Sequence, residues 1–163
     1  FEKNNLINET FGDAITTSFK VYDFNIDDGK NYLKLSAKHN AYENNFNYIH
    51  ERTIKIDKKN SNLLGEDSLV ASSQNKKSLD MYSIRFHLYP GINAVQTMSK
   101  NSILIQIDKN KSLVFTSAGE DLILEKSIFL GRNKIINNFC INIFGSIIKN
   151  TNKKINWELK KNN

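Results

Sequence analysis

The chain has 163 residues, 39% apolar and 25% charged, too apolar for a disordered chain and ordinary for one packed domain with its own core. No stretch approaches the roughly 20 apolar residues that a helix needs to cross a bilayer, because Asn, Lys or Glu interrupts the longest runs. A net charge of +6 favours polyanionic partners such as acidic polysaccharide, nucleic acid or anionic lipid, but the lysines fall singly or in pairs and read as a solvated surface.

Helical periodicity is almost absent, and β-branched and aromatic residues dominate the ordered segments. In chain order the pattern predicts strands over 19–24, 32–39, 48–56, 82–89, 94–98, 102–107, 112–117, 122–130, 134–144 and 155–160. Alternation assigns faces. Ile84, Phe86 and Leu88 oppose Arg85, His87 and Tyr89, and Ile155, Trp157 and Leu159 interleave with polar neighbours. Asp27-Asp28-Gly29-Lys30, Asp108-Lys109-Asn110-Lys111 and Ala118-Gly119-Glu120-Asp121 read as turns, the first with Gly29 supplying a positive φ. Residues 71–79 are expected to form the longest loop, and 160–163 to fray. Short connections imply an antiparallel meander in two layers, an all-β sandwich over 1–163.

The chain opens on Phe1, and residues 1–5 (FEKNN) lack the charged start and apolar segment of a signal peptide. It is therefore expected to be a C-terminal piece of a longer protein, with any targeting signal removed or upstream. The single cysteine, Cys140, excludes an internal disulfide and, inside an apolar run, reads as a buried inert thiol.

Candidate chemistry is confined to three clusters. His39-Asn40-Ala41-Tyr42 and Tyr48-Ile49-His50-Glu51-Arg52-Thr53 place two histidines, two tyrosines and an arginine at adjacent ends of a hairpin. His50 and Arg52 share a face with Ile54 and Ile56, so they form either a buried hydrogen-bonded network or the lip of a cleft. Leu64-Gly65-Glu66-Asp67 reads as an acidic turn whose carboxylates accept backbone N–H bonds. Arg85 and His87 share the polar face of a strand ended by Pro90-Gly91, as a packed polar layer or a ligand site. His39, His50 and His87 form no short ligand pair, so no metal site is expected from this chain. Nucleotide-binding loops, a nucleophile elbow and a stacking platform for nucleic acid are also missing.

These clusters, in this order, resemble the C-terminal β-domain of bacterial heparinase II/III-like proteins. The resemblance runs over roughly 32–160. It is carried by His39–Tyr42 (HNAY, similar to the family's His-Asp-Gly-Tyr), His50-Glu51-Arg52, Leu64–Asp67 (LGED), Arg85–Pro90 (RFHLYP), Glu125–Gly131 (EKSIFLG) and Trp157–Leu159 (WEL). Asn40-Ala41 departs from the family's Asp-Gly. The resemblance implies a lyase in which an N-terminal α/α toroid packs on antiparallel sheets and cleaves uronic-acid-containing polysaccharide, a glycosaminoglycan for instance, by β-elimination. It implies that most catalytic groups lie upstream, so that this stretch supports the cleft and is inactive alone. It implies His39, Tyr42 and His50 near the cleft, with Arg52, Arg85 and His87 binding substrate. No cofactor is implied within this stretch, with a divalent metal, where one is used, held upstream. The expected partners are acidic polysaccharide and the toroid, with no nucleic acid and no membrane span, in the periplasm or cell envelope. The alternative from another class is a stand-alone carbohydrate-binding or structural β-sandwich, which would use exposed aromatics such as Trp157 and the tyrosines.

Overall fold

The structure is a computed structural model that describes residues 19–72, 81–131 and 134–162. Eleven strands and one helical turn appear there in the order β1 (Val21–Asp28), β2 (Tyr32–His39), α1 (Glu43–Phe46), β3 (Tyr48–Asp57), β4 (Asn62–Ala71), β5 (Met81–His87), β6 (Asn93–Gln96), β7 (Ser102–Asp108), β8 (Lys111–Ser117), β9 (Asp121–Gly131), β10 (Lys134–Ser146) and β11 (Lys153–Lys161). They form two antiparallel sheets. One has eight strands in the order β1-β2-β3-β4-β11-β8-β7-β6, and the other has three in the order β5-β10-β9. The fold is all-β, as the alternation requires.

The order differs from a simple meander. The last strand, β11, inserts between β4 and β8, so the large sheet closes only when the end of the chain arrives. That also overturns the expected fraying of 160–163. Lys160 and Lys161 pair with Val114 and Leu113, and Asn162 bonds Ser112 through both its backbone and its side chain. Asn163 lies outside the described residues, as do 73–79 of the expected long loop and Phe1–Asn5.

The segment read as an acidic turn is the middle of β4. Its ten residues pair with β3 on one side, and Leu63–Leu69 pair with β11 on the other. Leu63, Gly65, Asp67 and Leu69 thereby face the interior, and Asp67 is fully buried. Gly29 was expected for its φ, yet no positive φ is needed there. A Cβ at that position would instead lie 2.6 Å from the Tyr32 ring. Gly119 does take the left-handed conformation, at φ 78°.

The inner face of the large sheet is apolar across β4, β11, β8 and β7, where Leu69, Ile155, Trp157, Phe115, Ile103 and Ile105 are buried. The small sheet covers it with Tyr82, Ile84, Phe86, Ile141, Ile143 and Leu122. Phe86 meets Trp157 edge-on at 4.8 Å between ring centroids, and Phe115 stacks on Trp157 at 5.8 Å. Such pairs add about 1 kcal/mol each to the burial of the rings.

The two sheets are tied at one side and parted at the other. Gln96 on the edge strand β6 donates to Leu122 O at 2.6 Å and accepts from Leu124 N at 3.4 Å, which closes that side onto β9. Glu120, in the β8–β9 turn, bonds the Tyr82 hydroxyl and pairs with Lys153 at 2.7 Å, joining β5 to β11. Among the described residues β5 pairs with β10 alone, and the order of the large sheet carries β1 to β3 beyond it. A cleft opens there.

Candidate functional site

The cleft has a volume of about 470 Å³, with His39, Tyr42, His50, Arg52, Asp67 and Arg85 among the residues that line it. The β2–β3 hairpin sets His39 directly opposite His50, and the β3–β4 ladder sets Arg52 opposite Asp67. Helix α1 swings Tyr42 over the pair, its ring 5.3 Å from His39 and 6.4 Å from His50. Asn47, buried at φ 67°, ends α1 and turns the chain back into β3.

The polar groups form a chain with a definite sense. The backbone N–H of Ala41 donates to His39 Nδ1 at 3.3 Å, so neutral His39 carries its hydrogen on Nε2. That nitrogen lies 2.9 Å from His50 Nδ1, so His50 carries its own hydrogen on Nε2, which lies 2.7 Å from Asp67 Oδ1. Arg52 Nε donates to the same oxygen at 2.7 Å, and the Trp157 indole N–H donates to Asp67 Oδ2 at 2.8 Å. One buried carboxylate therefore anchors three donors from β3 and β11. Burial opposes ionisation of Asp67, but hydrogen bonds from His50, Arg52 and Trp157, with the Arg52 charge, outweigh it and hold the carboxyl below its ordinary range. His39 is held below the ordinary histidine range, first by burial and then by His50 and the Arg52 charge.

This arrangement limits what each group can do. Both ring nitrogens of His39 and both of His50 are engaged, so neither ring has a nitrogen left for a ligand proton without rotating. A shared metal is also excluded for the pair as placed, since two nitrogens 2.9 Å apart and facing each other leave no room for an ion between them. Tyr42 Oη has no partner among the described residues, and Tyr42 is exposed where it lines the cleft. Arg52 commits Nε to Asp67 and lays its guanidinium 5.5 Å over the Phe86 ring, leaving both Nη groups unbonded among the described residues. The cleft thus offers a phenol and a cationic wall, fixed from behind by a rigid relay.

Comparison with known proteins agrees with this architecture. The Heparinase II/III-like, C-terminal family model matches residues 13–158. The chain belongs to that family. Among solved structures, the domain is similar to the heparan sulfate lyase HepC from Pedobacter heparinus, with a TM-score of 0.73 at 15% identity over 87% of this chain and 22% of that one. It is also similar to a heparinase III gene product, with a TM-score of 0.70 at 10% identity over 90% of this chain and 22% of that one. A further heparinase III structure gives a TM-score of 0.67 at 11% identity, over 88% of this chain and 21% of that one. At these identities the likeness is one of fold. This heparinase II/III-like domain spans about a fifth of the length of the structures it resembles. No curated protein matches its sequence.

Five of the six residues singled out in the sequence line the cleft of this heparinase II/III-like domain, and His87 does not. Arg85 sits on β5, with Nη2 3.8 Å from Glu125 Oε2. His87, two residues further, has left the cleft and places Nδ1 3.1 Å from Ser127 Oγ on β9. Trp157, considered as a sugar platform, is buried under Phe86 and Phe115. Asp67, which organises the whole site, was missed as a site residue because its segment looked like a turn. The available signal was the period-2 run Leu63, Gly65, Asp67, Leu69, which puts an acid on an apolar face beside the similarly placed His50 and Arg52.

The two shifted groups act in the same direction with pH. His39, held below 6.5 when folded, binds its proton more readily unfolded, so stability falls as pH drops below 6.5 and through the folded value. Asp67, held below 3.8, contributes stability that is present above 3.8 and lost as pH falls through its lower folded value. A plot of urea midpoint against pH is expected to show two acid limbs. His39→Gln should remove the upper limb and leave the lower one; an unchanged upper limb would separate His39 from it.

Proposed function

We propose that this domain forms one wall of the active-site cleft of a polysaccharide lyase, against an α/α toroid supplied upstream in the same protein. It works on acidic polysaccharide in the periplasm or cell envelope and has no activity alone. The observation that carries this reading is the position of Arg52, a cation held in the cleft at the open edge of the sandwich, with Tyr42 lining the same cleft. Exposed apolar side chains nearby on β1, at Val21, Phe24 and Ile26, give the toroid a surface to cover.

β-Elimination at a uronate removes the C5 proton, breaks the bond from C4 to O4, forms the C4=C5 double bond and returns a proton to O4. The negative charge that builds on the carboxylate has to be matched by fixed donors. Arg52 suits that role because Asp67 and Phe86 hold its guanidinium, leaving both Nη groups for a carboxylate or sulfate. His50 positions Asp67 and thereby Arg52. Tyr42 can pass a proton at the sugar ring or the leaving oxygen.

The test joins the chain to its own upstream segment and follows the absorbance of unsaturated product on acidic polysaccharides. Arg52→Ala is expected to raise KM or lower kcat by about tenfold or more, the loss of one charge-assisted contact. If both Arg52→Ala and His50→Ala keep full turnover and KM, the cleft is not the substrate site.

A further inference from the structure

The contacts of the His39–His50 pair admit one arrangement of ring hydrogens. His39 Nδ1 must stay bare to accept from Ala41 N–H at 3.3 Å, and His50 Nε2 must carry a hydrogen to reach Asp67 Oδ1 at 2.7 Å. The 2.9 Å contact between His39 Nε2 and His50 Nδ1 holds a single hydrogen. A further proton therefore has no vacant place. If His39 takes it, Nδ1 becomes a donor. If His50 takes it, the hydrogen between the rings belongs to His50, and His39 Nε2 must accept, which moves the hydrogen of His39 to Nδ1. Either way His39 Nδ1–H and Ala41 N–H then face each other as two donors.

Ala41 is the link that this breaks. The chain is pinned on both sides of it. Asn40 N–H donates to Lys20 O at 3.3 Å and its Oδ1 accepts from Lys20 N–H at 2.8 Å, while the Tyr42 carbonyl accepts from Phe46 N–H at 2.9 Å and Tyr48 N–H at 3.4 Å. Between these points the histidine pair holds the Ala41 N–H and seats the Tyr42 ring, 5.3 Å from His39 and 6.4 Å from His50. The charged groups facing the pair are Asp67 on β4, Arg52 on β3 and Arg85 on β5, which lines the same cleft. Tyr82, also in the cleft, is bonded to Glu120, and Glu43 on α1 lies 3.5 Å from Ser72 Oγ. Lys38 pairs with Asp23 and Glu51 on the other face of the sheet. No carboxylate among the described residues bonds His39, so a hydrogen on Nδ1 finds no acceptor among them.

We propose that His39 is a positioning residue for Tyr42: a proton entering the pair ends on His39 Nδ1, cancels the bond from Ala41 N–H and releases the Tyr42 ring from its seat over the two histidines. The step takes one proton and is the same whichever ring holds the charge. Burial, then His50 and the Arg52 charge, hold His39 below the ordinary histidine range. Tyr42 is therefore seated at neutral pH and released as pH falls below 6.5 and through the folded value. The seat and its release stand by themselves. Their effect on turnover rests on the lyase reading above, in which Tyr42 passes the proton.

The experiment follows the histidine ring nitrogens and the Ala41 amide of the full chain by NMR between about pH 8 and about pH 5. At the alkaline end both histidines are expected to carry their hydrogen on Nε2. As the pair takes up its proton, protection of the Ala41 amide from solvent exchange, relative to an unstructured peptide at the same pH, should fall about fivefold, the worth of one neutral hydrogen bond. The Tyr42 ring signals should shift with the same midpoint. His39→Asn distinguishes this from general loosening in acid. The oxygen of the new side chain accepts from the N–H two residues on, as in an Asx turn, and takes up no proton in this range, so Ala41 protection should stay level. Should that variant not fold, the wild-type titration decides alone. A hydrogen on His39 Nδ1 at the alkaline end, an Ala41 amide unmoved by proton uptake, or a fall that persists in His39→Asn overturns the proposal. Release of Tyr42 with no lyase turnover in the full protein would remove the previous reading and leave this one standing. Turnover with a level Ala41 amide would do the reverse.

Discussion

Gly65→Ala is expected to destabilise the domain by about 3 kcal/mol or more, the upper end of overpacking costs, and in the isolated chain to leave it largely unfolded at room temperature. A Cβ at position 65 would lie 2.0 Å from Cε2 and 2.1 Å from Cζ2 of Trp157, inside any tolerable contact. The indole cannot move aside cheaply. Phe86 and Phe115 hold two of its sides, and its N–H is committed to the buried Asp67 carboxylate. Shifting it would open the aromatic core and strip a donor from a desolvated acid at the same time. Trp157 is the sole tryptophan, so its fluorescence reports the event directly. Emission should move to longer wavelength with the drop in urea midpoint. Adding Trp157→Phe should recover part of the loss, because the smaller ring leaves room for the methyl group. Wild-type stability and an unshifted emission in Gly65→Ala would mean that the indole does not lie across β4.

That contact also explains which features the sequence could disclose. A strand with clean alternation, such as Met81–His87, stands out because one face, Tyr82, Ile84 and Phe86, is apolar along its whole length. β4 does not, since the centre of its inner face is a glycine and an aspartate, the two residue types that most strongly signal a turn. Each is there because of a residue about ninety positions later. Gly65 makes room for the Trp157 indole, and Asp67 receives its N–H. Local pattern carries no record of such a partner. The insertion of β11 between β4 and β8 was hidden for the same reason. The site was legible to the extent that it is local, since one hairpin brings His39, Tyr42, His50 and Arg52 together. Alternation correctly set Arg85 and His87 on one face. It could not show that a cleft at the edge of β5 reaches Arg85, while His87 lies further along against Ser127.

Asp67→Ala is expected to cost about 3–4 kcal/mol, the range for removing one partner from a buried, hydrogen-bonded charge group. The loss exceeds that of a single contact, because the His50, Arg52 and Trp157 donors all lose their acceptor while His50 and Trp157 remain enclosed. Asp67→Asn should cost less, since the amide keeps the volume and one oxygen, but its nitrogen can only donate. Placed toward His50 it would require an acceptor at Nε2, moving the His50 hydrogen to Nδ1, where it would oppose the hydrogen on His39 Nε2. The relay would then have to break at the pair of histidines. Two measurements separate this account from simple loss of packing. The lower acid limb of the stability profile, to which Asp67 contributes with Asp57 and Glu66, should shrink in Asp67→Asn. Combining Asp67→Ala with Arg52→Ala should cost less than the sum of the two, because Arg52 has no buried acid left to lose. Additive losses, or a lower limb undiminished in Asp67→Asn, would show that the carboxylate does not organise this wall of the cleft.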